Sequence, residues 1–168
     1  MPALIAQRAD VSDIVVVTGN RREQVQDELH SIEHIRIAHN PAWVSGRASS
    51  VRTGIQALHE KTAAAIFINA DQPFLTSQVI NTIIETFHHT NAPIVVPTYD
   101  GKTGSPVLVS RELFSEMIGL HGEQGGRDLL QKYHDQLARV EIQDPHAGTD
   151  LNTPEDYHAA LQRKQSTG

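Results

Sequence analysis

The residues best suited to chemistry are two acids and an amide that stand beside apolar segments. Asp71 directly follows the apolar run 63–70, and Asp150 and Asn152 flank Leu151. Because Mg²⁺ prefers one or two carboxylates together with phosphate oxygens, these three polar side chains could form one metal site. Asp71 is equally well explained as a turn or helix-capping residue, so its position alone leaves both roles open.

Two Gly-rich segments are further candidates for ligand binding. Residues 46–54 read GRASSVRTG, and Ser49, Ser50 and Arg52 could offer hydroxyls and a positive charge to an anion at a helix start. The simpler interpretation makes the serines helix caps and leaves the arginine solvated. Residues 100–106 read DGKTGSP, which is either a hairpin turn or a loop whose glycines let a ligand approach the backbone.

Composition excludes several classes of function. The chain has 168 residues, a net charge of −6 and no cysteine, so disulfides and cysteine zinc sites are ruled out and no basic field favours nucleic acid. No apolar run approaches the roughly 20 residues of a membrane span. The N-terminal residues MPALIAQRAD lack the basic and apolar regions of a signal peptide, so we expect a cytoplasmic protein.

The spacing of apolar residues predicts alternating strands and helices. Continuous apolar runs predict buried strands, and apolar residues spaced three or four apart predict helices. The predicted strands are 13–19, 35–38, 63–70, 92–97, 106–110 and 138–142, and the predicted helices are 21–30, 50–60, 113–120, 126–133 and two that begin after Thr76 and Thr153. Alternation of this kind indicates a single α/β domain over residues 1–163 with a mostly parallel sheet, followed by a disordered tail at 164–168. In such sheets ligands bind beyond the carboxyl ends of the strands.

The order of short motifs resembles the MobA-like nucleotidyltransferases, and among them the molybdenum-cofactor cytidylyltransferases. The motifs are VVVTG, then HNPAWVSGRASSVRTG, then ADQP, then GSPVL, then DLNTPEDY, and they extend over nearly the whole chain. The resemblance implies a Rossmann-like three-layer nucleotidyltransferase domain. It also implies transfer of CMP or GMP from CTP or GTP to a molybdopterin-like phosphorylated acceptor, with release of pyrophosphate.

The resemblance assigns a role to each matching position. Asp71 and Asn152 correspond to the catalytic, Mg²⁺-binding residues, with Asp150 beside them on the metal. The residues that face the nucleotide are Ser49, Ser50 and Arg52, and the acceptor turn is formed by Gly104, Ser105 and Pro106. Relatives often carry His at the position of Ser105, and they have small or Met-like residues where this chain has Arg47 and Ala48.

One family motif has no counterpart in this sequence. The family begins with a strand followed by L-A-A-G-x-S-x-R-M-G and a lysine, a Gly-rich loop that wraps the triphosphate. We therefore expect a sheet without its first, central strand and without the phosphate loop, and only marginal activity from the chain as given. Two alternatives to the transferase stay open: a non-catalytic cofactor-binding module, and a transferase for a sugar or polyol phosphate. The sequence predicts no membrane partner, and it leaves open whether the chain forms a homo-oligomer or meets a partner enzyme that receives the cofactor.

Overall fold

The computed structural model describes residues 2–123, 126–151, 153, 155, 156 and 158, so the predicted tail at 164–168 lies outside it. Strands alternate with helices along this part of the chain, as predicted. The strands are β1 (Ile14–Thr18), β2 (Ile35–His39), β3 (Ala64–Phe67), β4 (Ile94–Tyr99), β5 (Lys102–Thr103), β6 (Val107–Ser110) and β7 (Leu137–Glu141). The α-helices are α1 (Pro2–Ala6), α2 (Arg22–Leu29), α3 (Arg47–Gln56), α4 (Ser77–Thr90), α5 (Phe114–Ile118) and α6 (Arg127–Lys132).

The sheet is mixed rather than mostly parallel. Strand β1 pairs in parallel with β2, and β4 pairs in parallel with β7, but β6 runs antiparallel to both β3 and β4. The short connection after β4 explains this direction, because a parallel neighbour needs a crossover of a dozen or more residues. A tight turn at Asp100 and Gly101, both with positive φ, instead folds β5 back along β4 and leads into β6. The prediction of an α/β fold is confirmed, and the direction of β6 corrects it.

Helices cover both faces of the sheet and give the predicted three layers. Side chains of α1, α4 and β7 share one core cluster with alternate residues of β3, such as Ala64 and Ile66. Ala65 and Phe67, which point to the other face, join a second cluster with α3, α5 and α6. Strand β4 contributes to both clusters, and all six of its residues are buried. This strand is therefore the centre of the five-stranded sheet.

The sheet is interrupted between β1 and β3. Among the described residues β1 and β2 form a separate two-stranded sheet, and the remaining strands form a five-stranded one. Ile14 of β1 nevertheless packs in the same cluster as Ala64 of β3, and Val17 lies beneath Gly54 of α3. The two sheets thus share the same helical layers.

Helix ends position the loops that carry the candidate residues. Helix α3 begins at Arg47 with Gly46 as its N-cap, so Ser49 and Ser50 lie inside the helix rather than before it. Gly46 has a φ of 103°, and a Cβ there would lie 2.6 Å from the backbone of Gly122. Only glycine fits this turn without strain. The Thr76 hydroxyl caps α4, as predicted, by accepting from the Val79 N–H.

Candidate active site

Asp71 lies beyond the carboxyl end of β3, where the sequence predicted a metal ligand. Its backbone carbonyl accepts a hydrogen bond from the Leu151 N–H at 2.9 Å, which fixes the 150–151 segment against it. Its side-chain Oδ1 is buried and has no partner among the described residues. A buried carboxylate oxygen without a donor is costly, so this atom suits a cation that arrives with a substrate.

Asp150 is the second acid of this site. Burial raises the pKa of its carboxyl, and the negative charge of Asp71 raises it further. A hydrogen bond from the Gln72 amide and the positive charge of Arg47 act in the opposite direction, but they do not offset the rise. The negative charge of Asp71 therefore opposes the ionisation of Asp150. A divalent cation between them would remove that repulsion.

The acid pair fits a magnesium or manganese ion that substrate also binds. The described residues contain no group of three His, Cys, Asp or Glu side chains that could hold a metal by themselves. Mg²⁺ does not need such a cage, because it is usually held by one or two carboxylates plus substrate phosphates and water. Asn152, the predicted third residue of the site, lies outside the described residues, and its role stays a prediction.

Gln72 connects the acid pair to the predicted acceptor turn. Its side chain is completely buried, and its Nε2 donates to the Ser105 hydroxyl at 2.9 Å and to the Ser105 carbonyl at 3.3 Å. The same amide acts to lower the pKa of the Asp150 carboxyl, so it also lies near that acid. Sequence reasoning did not single out this residue, although a polar side chain between Asp71 and Pro73 was a signal that could have found it.

Tyr99 holds the predicted acceptor turn from the other side. Its hydroxyl donates to the Ser105 carbonyl at 2.9 Å. Its ring leaves no room for a side chain at Gly104 or Gly148, where a Cβ would approach the ring to 2.7 and 2.4 Å. Burial, together with the negative charges of Asp150 and Asp144, raises the pKa of Tyr99 to about 12. The turn that carries Gly104 and Ser105 is thus fixed beside the acid pair, and Pro106 is fully buried behind it.

The predicted nucleotide-facing serines make contacts within the protein. Asn40, which is 1% exposed, donates from Nδ2 to the hydroxyls of Ser49 at 2.7 Å and Ser50 at 3.0 Å. The Ser49 hydroxyl in turn donates to the carbonyl of Gly46 at 2.8 Å. These bonds hold the turn before α3 against the helix. The serines are therefore not N-caps, and their contact with a nucleotide stays a prediction.

Arg52 also has a structural task that the sequence did not predict. Its guanidinium donates to the carbonyls of Ile118 at 3.0 Å and Leu120 at 2.9 Å, at the end of α5. The alternative of a solvated arginine is therefore wrong. Carbonyls at the end of a helix have no partner within the helix, and the guanidinium supplies one. Its contact with a nucleotide is likewise still a prediction. Arg47, five residues earlier on α3, is the arginine whose charge acts on Asp150.

This combination of fold and site defines a nucleotidyltransferase. A three-layer α/β domain presents an acid pair at the carboxyl edge of its sheet, next to a Gly-containing turn. The chain belongs to the MobA-like NTP transferase family, whose model matches residues 3–138. No helix within the described residues is long and apolar enough to cross a membrane.

Known relatives agree with this family. The chain is 28% identical over 153 residues to the molybdenum cofactor cytidylyltransferase of Escherichia coli (strain K12), covering 90% of this chain and 76% of that one. Its fold is similar to that of a nucleotidyl transferase from Methanothermobacter thermautotroptrophicus (TM-score 0.83, 20% identity, 98% of this chain and 79% of the other). It is also similar to Rv0371C from Mycobacterium tuberculosis in complex with manganese (TM-score 0.76, 20% identity, 94% and 82% of the two chains).

Proposed function

We propose that this domain transfers CMP or GMP from CTP or GTP to a molybdopterin-like phosphorylated acceptor. The observation that carries the proposal is the acid pair of Asp71 and Asp150 beside the turn that holds Ser105. An oxygen of the acceptor phosphate attacks the α-phosphorus of the nucleotide, the bond from that phosphorus to pyrophosphate breaks, and pyrophosphate leaves. CTP is the preferred nucleotide in this proposal, because the curated relative is named a cytidylyltransferase.

The two acids would hold a divalent cation in this reaction. The manganese complex of Rv0371C supports the use of such an ion in proteins of this fold, and Mg²⁺ is the ion we propose. When bound, the ion supplies charge stabilisation for the phosphates. The protein residues position the reactants: the backbone bond from Leu151 sets Asp150 against Asp71, and Gln72 and Tyr99 set the acceptor turn. Positioning and charge account for most of the catalysis in transfers of this type.

Product formation tests this proposal directly. Labelled CTP and GTP are each incubated with the protein, Mg²⁺ and molybdopterin, and the labelled dinucleotide and pyrophosphate are quantified. We expect both products to form in equal amounts, at the marginal rate expected of the chain as given, with CTP preferred, and to be lost in Asp71→Asn. Pyrophosphate without a labelled acceptor would indicate simple hydrolysis and contradict the proposal. A labelled sugar or polyol phosphate in place of the molybdopterin product would support the alternative acceptor.

A further inference from the structure

The buried amide of Gln72 has only one orientation that satisfies its neighbours. The Ser105 carbonyl lies 3.3 Å from Nε2, and a carbonyl oxygen can only accept. The amide keeps this orientation although its Oε1 is then buried without a partner among the described residues. The carbonyl acceptor therefore fixes the NH₂ group on the side of Ser105.

This orientation decides the direction of the Ser105 hydroxyl. Because Nε2 donates to the Ser105 Oγ at 2.9 Å, that oxygen accepts and its own hydrogen must point elsewhere. The hydroxyl donates to no described residue, and Ser105 is only half-buried. Its hydrogen is therefore free to meet a ligand.

The ligand that fits this hydrogen is a phosphate. Gln72, which donates to Ser105 Oγ at 2.9 Å, directly follows Asp71 in the chain, and its amide also acts on the Asp150 carboxyl. An anion bound to a cation at the acid pair comes within reach of the hydroxyl. Since the turn belongs to the predicted acceptor side, the phosphate concerned is the monoester of the acceptor rather than the nucleotide triphosphate.

We propose that Gln72 is a positioning residue that turns the Ser105 hydroxyl hydrogen toward a phosphate oxygen of the acceptor. This inference rests on the proposed function, because it needs a phosphorylated acceptor near the metal. The proposed donation to the phosphate needs a hydroxyl at position 105, because relatives that carry His at this position would present a different donor. Gln72 acts through Ser105, whereas the serine itself touches the substrate.

A double-mutant cycle on ligand binding tests this inference without needing activity. The probe is phenyl phosphate, titrated calorimetrically with Mg²⁺ present, and CTP is titrated separately. The variants are Ser105→Ala, Gln72→Met and the double variant, with Thr103→Ala on the neighbouring exposed strand β5 as the matched control. Methionine has nearly the shape of glutamine and introduces no charge. Melting temperatures show whether each variant is folded. If Gln72→Met does not fold, Gln72→Leu takes its place.

We expect Ser105→Ala to weaken phenyl phosphate binding about tenfold, the cost of one hydrogen bond to a charged group. Gln72→Met should weaken it about threefold to tenfold in the native background and not at all in the Ser105→Ala background. Ser105→Thr should keep most of the affinity, and CTP binding and the Thr103→Ala variant should be unchanged.

If Gln72→Met lowers the affinity for phenyl phosphate equally in the native and the Ser105→Ala backgrounds, its role is merely structural and the inference is overturned. So would unchanged binding in Ser105→Ala, or a native chain that does not bind the probe. The metal assignment is judged separately: if Asp71→Asn leaves probe binding intact while the cycle stays non-additive, the metal role fails and the inference about Gln72 stands.

Discussion

The backbone N–H of Leu151 donates to the backbone carbonyl of Asp71 at 2.9 Å. This single bond joins two segments that are far apart in sequence, and it places the side chain before Leu151 next to the end of β3. Asp150 consequently lies near Asp71 before any ligand arrives, and the negative charge of Asp71 contributes to the raised pKa of Asp150. The backbone thus contributes to preorganising the acid pair.

We predict that only glycine at position 148 lets the chain pack against the Tyr99 ring just before the 150–151 segment. A Cβ at this position would lie 2.4 Å from the Tyr99 ring, so Gly148→Ala must displace the ring or the turn. We expect a loss of about 1–3 kcal/mol in the free energy of unfolding, measured by urea denaturation. Gly126→Ala is the control, because nothing lies within 4 Å of its Cβ. Equal stabilities of the two variants would contradict the observed contact with Tyr99.

Replacing Arg52 should separate its structural task from the predicted nucleotide contact. Arg52→Met removes both bonds to the carbonyls of Ile118 and Leu120, so we expect a loss of about 1–3 kcal/mol in unfolding free energy. Arg22→Met, at an exposed position of α2, should change stability little. Titration of CTP against folded Arg52→Met then isolates the binding role. Native stability in this variant would show that the two bonds contribute nothing.

Alkaline pH should destabilise the protein through Tyr99. Burial favours its neutral phenol and raises its pKa from 10.0 to about 12. Below pH 10 the phenol is neutral in both folded and unfolded chains, and its stabilising contribution is fully present. Between pH 10 and about 12 the unfolded chain loses the proton first, and a contribution of about 2 kcal/mol is lost. Urea denaturation across this range should show a shallower decline in Tyr99→Phe. Identical slopes in the two proteins would show that Tyr99 titrates normally.

Transfer by residues 1–168 alone should be marginal. The sequence has no Gly-rich loop with Arg and Lys to fix a triphosphate, and each missing donor typically costs about 10²–10³ in rate. Fusing a segment of the L-A-A-G-x-S-x-R-M-G type in front of residue 1 should raise pyrophosphate release by at least that factor. A matched fusion with the Gly and Arg positions replaced by Ala is the control. Full turnover by residues 1–168 would show that the phosphates are held elsewhere.

Much of the fold could be predicted from local patterns, because strands buried on both faces read as continuous apolar runs. The strand at 94–99 is an example. Helix starts were predicted from capping residues, as at Thr76 and in the reciprocal bonding of Thr153 and Asp156 at the start of the last predicted helix. The direction of β6 could not be predicted this way. It depends on which strand the turn at Asp100 leads back to, and apolar runs do not encode that choice.

The site was predicted less completely than the fold. The 71–72 segment contacts Leu151 and the turn at Ser105, because carboxyl ends of strands and their loops meet at one edge, and the roles of these residues stay predictions. The tasks of Gln72 and Arg52 were not predicted. Both residues donate to backbone carbonyls far away in sequence, at Ser105 and at the end of α5, and such partners are visible only after folding.

The binding of Mn²⁺, followed by electron paramagnetic resonance, tests the central claim most directly. The account predicts one Mn²⁺ per chain in the presence of CTP, displaced by Mg²⁺, with affinity weakened at least tenfold in both Asp71→Asn and Asp150→Asn. Asp135→Asn, an exposed acid beside His134, is the matched control and should bind as the native protein does. Equal Mn²⁺ affinity in the native protein and in Asp71→Asn would contradict the claim that this acid pair holds the metal.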